Sequence, residues 1–317
     1  MLERTSYLDG GTAEETSAPV DFLSGLKDWE PVSSSQPAPC AMTCDVEDYF
    51  QVSAFGDIVS RDQWPELECR IEHNIDRILE LLDATGSKAT FFTLGWIAER
   101  YPTAIRRLAE EGHEVASHGM VHERIWRQSP DEFREDAASA RRLLEDVAGV
   151  PVQGYRAASW SLDQRTPWAH DILADVGYRY SSSIYPVAHD HFGVPSAPQR
   201  PFYLANSGLL EIPASTARLA GRNIPAGGGG YFRLYPLAFS TWLIRRIHTA
   251  ESPYVFYFHP WEIDPGQPRI EGASAKARFR HYLNLGRFER RWRALLGEFD
   301  WQRMDAIYLK EKDDRVE

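Results

Sequence analysis

His118 and His122 stand four residues apart. On one helical turn, or across a wide loop, that spacing aims two imidazoles at one point, the geometry a divalent metal requires. In a chain with ten histidines such a pair alone is more often a surface coincidence. An acidic run earlier in the chain, Asp45-Val46-Glu47-Asp48, changes the balance, although by itself it reads equally well as a solvated turn. Two histidines and one carboxylate leave coordination positions open, the arrangement of a catalytic ion that activates water. Asp45 and Glu47 face the same way if their strand continues through both, because side chains alternate with period two. One carboxylate then binds the metal and the other takes a proton from water. His259 ends the apolar run Tyr254-Val255-Phe256-Tyr257-Phe258. A histidine there is often a satisfied core group, or else an acid able to protonate a leaving nitrogen.

These groups, with Arg156 and Asp163, fall where strands end. Ala41–Cys44 reads as a strand entering the acidic turn, 89–94 as a second and 114–117 as a third. Ile71, Ile75, Ile78, Leu79 and Leu82 form the buried stripe of a helix closed by Gly86. Residues 130–147 read as a long amphipathic helix with proline in its first turn. Further strands are expected near 154–156, 178–182, 209–212 and 254–258. Strand–helix alternation predicts an α/β fold with a parallel sheet, most economically a (β/α) barrel with its chemistry at the C-terminal strand ends. Residues 1–38 read as a flexible acidic tail with Phe22, Leu23, Leu26 and Trp29 as docking points. Residues 39–317 read as one domain, whose helical extension from about 273 is rich in arginine and aromatics and is expected on the outside of the barrel. No internal repeat is visible.

The chain has 317 residues, 43% hydrophobic and 26% charged, with 46 acidic against 35 basic side chains. That composition supports a sizeable core and argues against a polyanionic partner such as nucleic acid. No apolar run reaches the roughly 18 residues of a spanning helix. The N-terminal residues lack the basic start and apolar core of a secretory signal, so a cytoplasmic location is expected. Cys40, Cys44 and Cys69 read as buried thiols.

The segments DVEDYFQVSAF, KATFF, EEGHEVASHGMVH, GYRAASWSL, GYRYSSSIYP and FYFHPWEID together resemble the polysaccharide deacetylases of carbohydrate esterase family 4, the NodB-homology group. They look closest to the branch associated with exopolysaccharide gene clusters and the exosortase system. The resemblance spans roughly 42–296. It implies a distorted barrel of the (β/α)7 type and metal-dependent removal of acetyl groups from an N-acetylhexosamine-containing polysaccharide or its lipid-linked precursor. It further implies a divalent cofactor, zinc by preference, on His118, His122 and either Glu47 or Asp48. Asp45 corresponds to the general base, Arg156 to the arginine that fixes it and His259 to the catalytic acid. A backbone N–H just after Ala158 corresponds to the oxyanion donor. Ser159, in the same motif, is a candidate substrate-binding residue, and Tyr49, Phe50, Trp160 and Trp261, beside motif residues, are candidates for stacking on sugar faces.

Two motifs depart from the family pattern. Ala158 replaces a proline, and Tyr180-Ser181-Ser182-Ser183 replaces a run with aspartate at its second position. If that aspartate normally supports the acid histidine, Asp163, Asp190 or Asp264 are the available substitutes. Gly227–Gly230 lacks a phosphate-loop ending and reads as a flexible lip over the cleft. Two other functions fit the same residues: hydrolysis of a different C–N bond, and a catalytically impaired polysaccharide-binding or assembly protein. Oligomeric state is not legible.

Overall fold

The computed structural model describes residues 23–30, 39–189, 192–248 and 253–309. Most of the acidic N-terminal segment, Phe22 included, and Asp190 lie outside the described residues. Seven strands form a continuous parallel ladder in the order β11-β2-β3-β4-β5-β6-β8. They are β2 (Cys40–Val46), β3 (Thr90–Thr93), β4 (Glu114–Ser117), β5 (Gly154–Tyr155), β6 (Tyr180–Ser181), β8 (Leu210–Glu211) and β11 (Val255–Phe258). Beyond β8, β7 (Phe202–Tyr203) and β1 (Lys27–Asp28) add in antiparallel fashion. So part of the N-terminal segment is a sheet edge, with Leu23 and Leu26 against the outer core and Trp29 against the inner one.

Among the described residues the ladder does not close between β8 and β11. The approaches to a hairpin, β9 (Thr216–Leu219) and β10 (Arg222–Pro225), fill the gap. There Ser215 Oγ accepts from Val255 N at 2.8 Å, and Gly227 O accepts from Tyr257 N at 2.7 Å. The architecture is the mixed α/β, distorted (β/α)7 class that the sequence predicts.

The period-two rule sorts β2. Cys40, Met42, Cys44 and Val46 join the outer core between sheet and helices, whereas Ala41 joins an inner cluster with Phe92, Ala116, Tyr180, Leu210 and Val255. The outer layer is α1 (Ile71–Asp83), α2 (Gly95–Arg100), α3 (Pro102–Glu110), α4 (Pro130–Ala148), α5 (Ala169–Val176), α6 (Gly229–Leu234), α7 (Leu237–Ile247), α8 (Ala275–Tyr282) and α9 (Leu285–Leu296). The α4 helix starts where Ser129 and Glu132 form a reciprocal capping box ahead of Pro130.

The C-terminal extension divides. The buried faces of α8 and α9 belong to the outer core, as expected. By contrast β12 (Trp301–Gln302) pairs with the start of β2, and α10 (Met304–Tyr308) adds Met304, Ile307 and Tyr308 to the inner cluster. Apolar filling thus occupies the N-terminal end of the strands, and polar side chains are left for the other. No described helix is long and apolar enough to cross a membrane.

Candidate active site

Asp45 is the last inward-facing residue of β2, above Ala41 and Thr43. Its Oδ1 accepts from Arg156 NH1 at 2.6 Å. Arg156 follows β5 and is wholly buried, so each part of its guanidinium needs a partner. NH1 also donates to Thr43 Oγ1 at 2.8 Å, Nε to Ser182 O at 3.1 Å and NH2 to Ser182 Oγ at 3.0 Å. Its plane lies over the Phe92 ring at 4.0 Å. These contacts leave Arg156, and through it Asp45, one position.

The strand stops at Val46, so Glu47 does not reach the site by simple alternation. A tight turn, Glu47 N to Asp45 O at 2.9 Å, brings it there instead. One carboxylate oxygen of Glu47 and one nitrogen each from His118 and His122 all lie within 4.8 Å of one another, and all three residues are buried. His118 Nδ1 donates to the Arg156 carbonyl at 2.8 Å, which fixes the tautomer and leaves Nε2 with a free lone pair. Glu47 Oε2 is buried and takes no hydrogen bond from the described residues, though His122 Nε2 stands 2.8 Å away. Burial alone would raise Glu47, but His122 and then His259 and His118 outweigh it and bring the carboxyl to about 2. Burial lowers His118 to about 4, so its imidazole is neutral. An orphaned carboxylate oxygen, a neutral imidazole and a second imidazole together fit a divalent cation.

The histidines sit on a loop, not a helix. Gly119 adopts φ +79°, and a Cβ there would meet Asp136 Oδ2 at 2.8 Å. Asp136, from α4, accepts from Met120 N, while Gly95 N and Trp96 N at the start of α2 donate to the carbonyls of Gly119 and Met120, each at 2.9 Å. This anchoring turns both rings inward, their centroids 5.3 Å apart.

Asp48 stands outside this group. Its Oδ1 accepts from Tyr49 N at 2.8 Å and its Oδ2 from Arg70 N, the residue that opens α1. Burial raises this carboxyl, and its work is to hold the chain between β2 and α1. Tyr49 and Phe50 are 1% exposed and pack in an aromatic cluster with Trp64 and Trp96, so neither offers a face to a sugar. Trp160 is buried against Tyr185 and Tyr257, and Trp261 stacks between His259 and His281 at 5.1 and 3.9 Å. Ser159 Oγ pairs with Ser53 Oγ. Ser159 and Trp160 both hold φ of 55°, consecutive left-handed residues without glycine, a strain that clusters at functional loops.

His259 follows β11 with its side chain 19% exposed and its Nε2 3.5 Å from Glu47 Oε1. Its Nδ1 faces Glu262 Oε1 at 3.1 Å. Burial pushes His259 down, but Glu262 and Glu47 more than compensate, and the imidazole is raised to about 9. Glu262 therefore supplies the charge that Ser181 lacks, and of the described residues named as substitutes neither Asp163 nor Asp264 does. Asp163 is engaged by Arg165 and Asp264 by Arg70. The Ser181–Ser183 run serves the arginine side, with Ser183 Oγ accepting from Ala157 N at 2.9 Å. Glu262 was legible as an i,i+3 partner of His259 on one turn.

The glycine run has a different role from a lip. A Cβ on Gly229 would fall 1.8 Å from Glu262 Oε2, and one on Gly228 2.5 Å from the Tyr257 hydroxyl. Those glycines let the backbone pass against Glu262 and Tyr257.

Residues 62–181 match the polysaccharide deacetylase family, and residues 182–309 match a domain of unknown function (DUF3473). The first match contains His118, His122 and Arg156, Asp45 and Glu47 precede it, and His259 and Glu262 fall in the second. A peptidoglycan-N-acetylglucosamine deacetylase of Bacillus cereus is 34% identical over 109 residues, covering 34% of this chain and 38% of that protein. A chitooligosaccharide deacetylase of Bradyrhizobium sp. is 31% identical over 97 residues, 31% of this chain and 42% of that one. The matched segments thus span about two fifths of the length of these curated relatives. A solved Mycobacterium smegmatis protein, described as a candidate polysaccharide deacetylase, superposes with a TM-score of 0.53 at 23% identity, covering 87% of this chain and 91% of its own. That likeness establishes the fold.

Proposed function

We propose that this chain, which carries a polysaccharide deacetylase domain continued by DUF3473, is a metal-dependent N-deacetylase of an N-acetylhexosamine-containing polysaccharide or its lipid-linked precursor. The observation that carries this reading is the convergence of the Glu47–His118–His122 group, the Asp45–Arg156 pair and His259 at one end of the parallel sheet. Glu47, His118 and His122 hold the cation, with zinc favoured by the two nitrogen donors, and Asp48 takes no part. When bound, the ion supplies Lewis acidity, polarising the acetamide carbonyl and lowering the pKa of water in the site.

Asp45, fixed by Arg156, accepts a proton from the attacking water as the new C–O bond forms. The Ser159 N–H, in the strained turn after Ala158, donates to the oxyanion; such a donor is worth about 3 kcal/mol. His259 delivers its proton to the departing nitrogen as the C–N bond breaks, giving acetate and a free amine. Glu262 holds Nδ1 so that Nε2 carries the transferable proton. A deposit of free amine on N-acetylglucosamine oligomers, formed by the full chain with zinc and absent with a chelator, tests the reading. Turnover that survives complete removal of metal would overturn it.

A further inference from the structure

The acidity of this chain is unevenly spread. Residues 229–248 and 275–293 together hold ten basic residues and one acid, against 25 basic and 45 acidic residues in the remainder. These segments are α6 to α9, on the outside of the barrel. They are tied together by Arg233, which donates from NH1 to the carbonyls of His281 and Leu283, and by Arg291, which donates to the carbonyls of Arg233 and Tyr235. On this same layer stand three of the most exposed large apolar side chains, Leu234 at 49%, Trp242 at 46% and Phe279 at 58%. Tyr235, Phe239 and Trp242 form a continuous aromatic row with ring centroids 5.3 and 5.7 Å apart, and Arg246 lies over Trp242 at 5.8 Å. Arg246, Arg287 and Arg290 have no described acid within ion-pair reach, whereas Arg245 is paired with Glu298 and Arg293 with Glu289.

We propose that this face binds the surface of an anionic lipid bilayer, with Trp242 and Leu234 inserted at the headgroup level and Arg246, Arg287 and Arg290 against lipid phosphates. Charge complementarity selects an anionic partner. The exposed aromatic and aliphatic side chains among the arginines select a bilayer over a soluble polyanion, because an interface that is apolar on one side and wet on the other is where such residues gain most. The acidic remainder of the molecule is repelled by the same surface, which sets one orientation. The inference is independent of the deacetylase reading, since neither metal ligands nor turnover enter it.

Sedimentation of the full chain with phosphatidylcholine vesicles, with and without phosphatidylglycerol at 30 mole per cent, tests it. Binding is expected only to the anionic vesicles, weakening steeply with salt. The double variant R287E/R290E should lower partitioning by more than about tenfold. The variant L234S/W242A should lower it several-fold, and wild-type Trp fluorescence should shift to the blue on binding. Thermal melting checks that both variants are folded. Equal binding to neutral vesicles would overturn the proposal. So would charge-dependent binding untouched by L234S/W242A, which assigns the face to a soluble polyanion. Concentration-dependent self-association without vesicle binding would also overturn it, giving the face to a second copy.

Discussion

Glu262 Oε1 lies 3.1 Å from His259 Nδ1, both residues being carried on the single turn that follows β11. A carboxylate three residues away on the same turn makes the histidine and its partner one local unit, independent of the serine run at 181–183. The sign of its effect is defined. Glu262 raises His259, so if the protonated imidazole is the acid as proposed, activity is lost as pH rises through that pKa. Replacing Glu262 with glutamine should move the alkaline limb of the rate profile to lower pH by about one unit and cut kcat roughly tenfold to a hundredfold, with metal content unchanged. An unmoved alkaline limb would remove Glu262 from this role. Gly229→Ala should behave similarly, because its Cβ claims the space of Glu262 Oε2.

Glu47 and Asp48 should separate cleanly. Glu47→Gln removes the carboxylate nearest the two imidazoles and should weaken metal affinity at least tenfold, measured by competition with a chromogenic chelator. Asp48→Asn should keep the metal but lose one of the acceptors for the N–H groups of Tyr49 and Arg70, lowering stability by about 1–3 kcal/mol in thermal melts. Metal loss in Asp48→Asn with retention in Glu47→Gln would reverse the assignment.

Asp45→Asn keeps an oxygen for Arg156 NH1 but no base. Turnover should fall by about a thousandfold or more with metal content intact. Arg156→Ala should instead destabilise the fold by about 3–5 kcal/mol, since it leaves Asp45 a buried charge without its partner.

At the opposite end of the sheet, Glu114 accepts from Asp305 N at 3.0 Å and lies 2.6 Å from Thr90 Oγ1 and 2.9 Å from the Tyr180 hydroxyl. Burial, with Asp305 close by, holds this carboxyl well above its usual range. Between the ordinary glutamate pKa and the raised one, the unfolded chain has lost a proton that the folded chain keeps, so stability declines as pH rises through that window. Glu114→Gln should flatten the decline in denaturant melts taken between about pH 5 and 8. An equally steep decline in the variant would place its origin elsewhere.

Much of the architecture was legible because the longer parallel strands are runs rich in apolar residues and the helices keep apolar stripes. The α1 stripe from Ile71 to Leu82 and the proline-led α4 are of this kind. The short strands β1, β7 and β12, and the plug α10, were not legible, since they carry no periodic pattern of their own and are fixed by tertiary contacts. At the site, residue types and strand ends pointed to Asp45, His118, His122, Arg156 and His259. The choice between Glu47 and Asp48 turned on a local bond that ends the strand one residue early. The aromatics Tyr49 and Phe50 read the same from sequence whether they line a cleft or fill a core. The missing aspartate drew attention to distant acids, when the turn of His259 itself held the carboxylate.

The most direct measurement is acetate release from N-acetylglucosamine oligomers by the zinc-reconstituted full chain, run beside Asp45→Asn and Glu47→Gln at matched protein concentration. Release by the wild type, abolished by chelation and by either substitution, is the predicted result. No release from fully metallated wild type, or equal release by Asp45→Asn, would contradict the account.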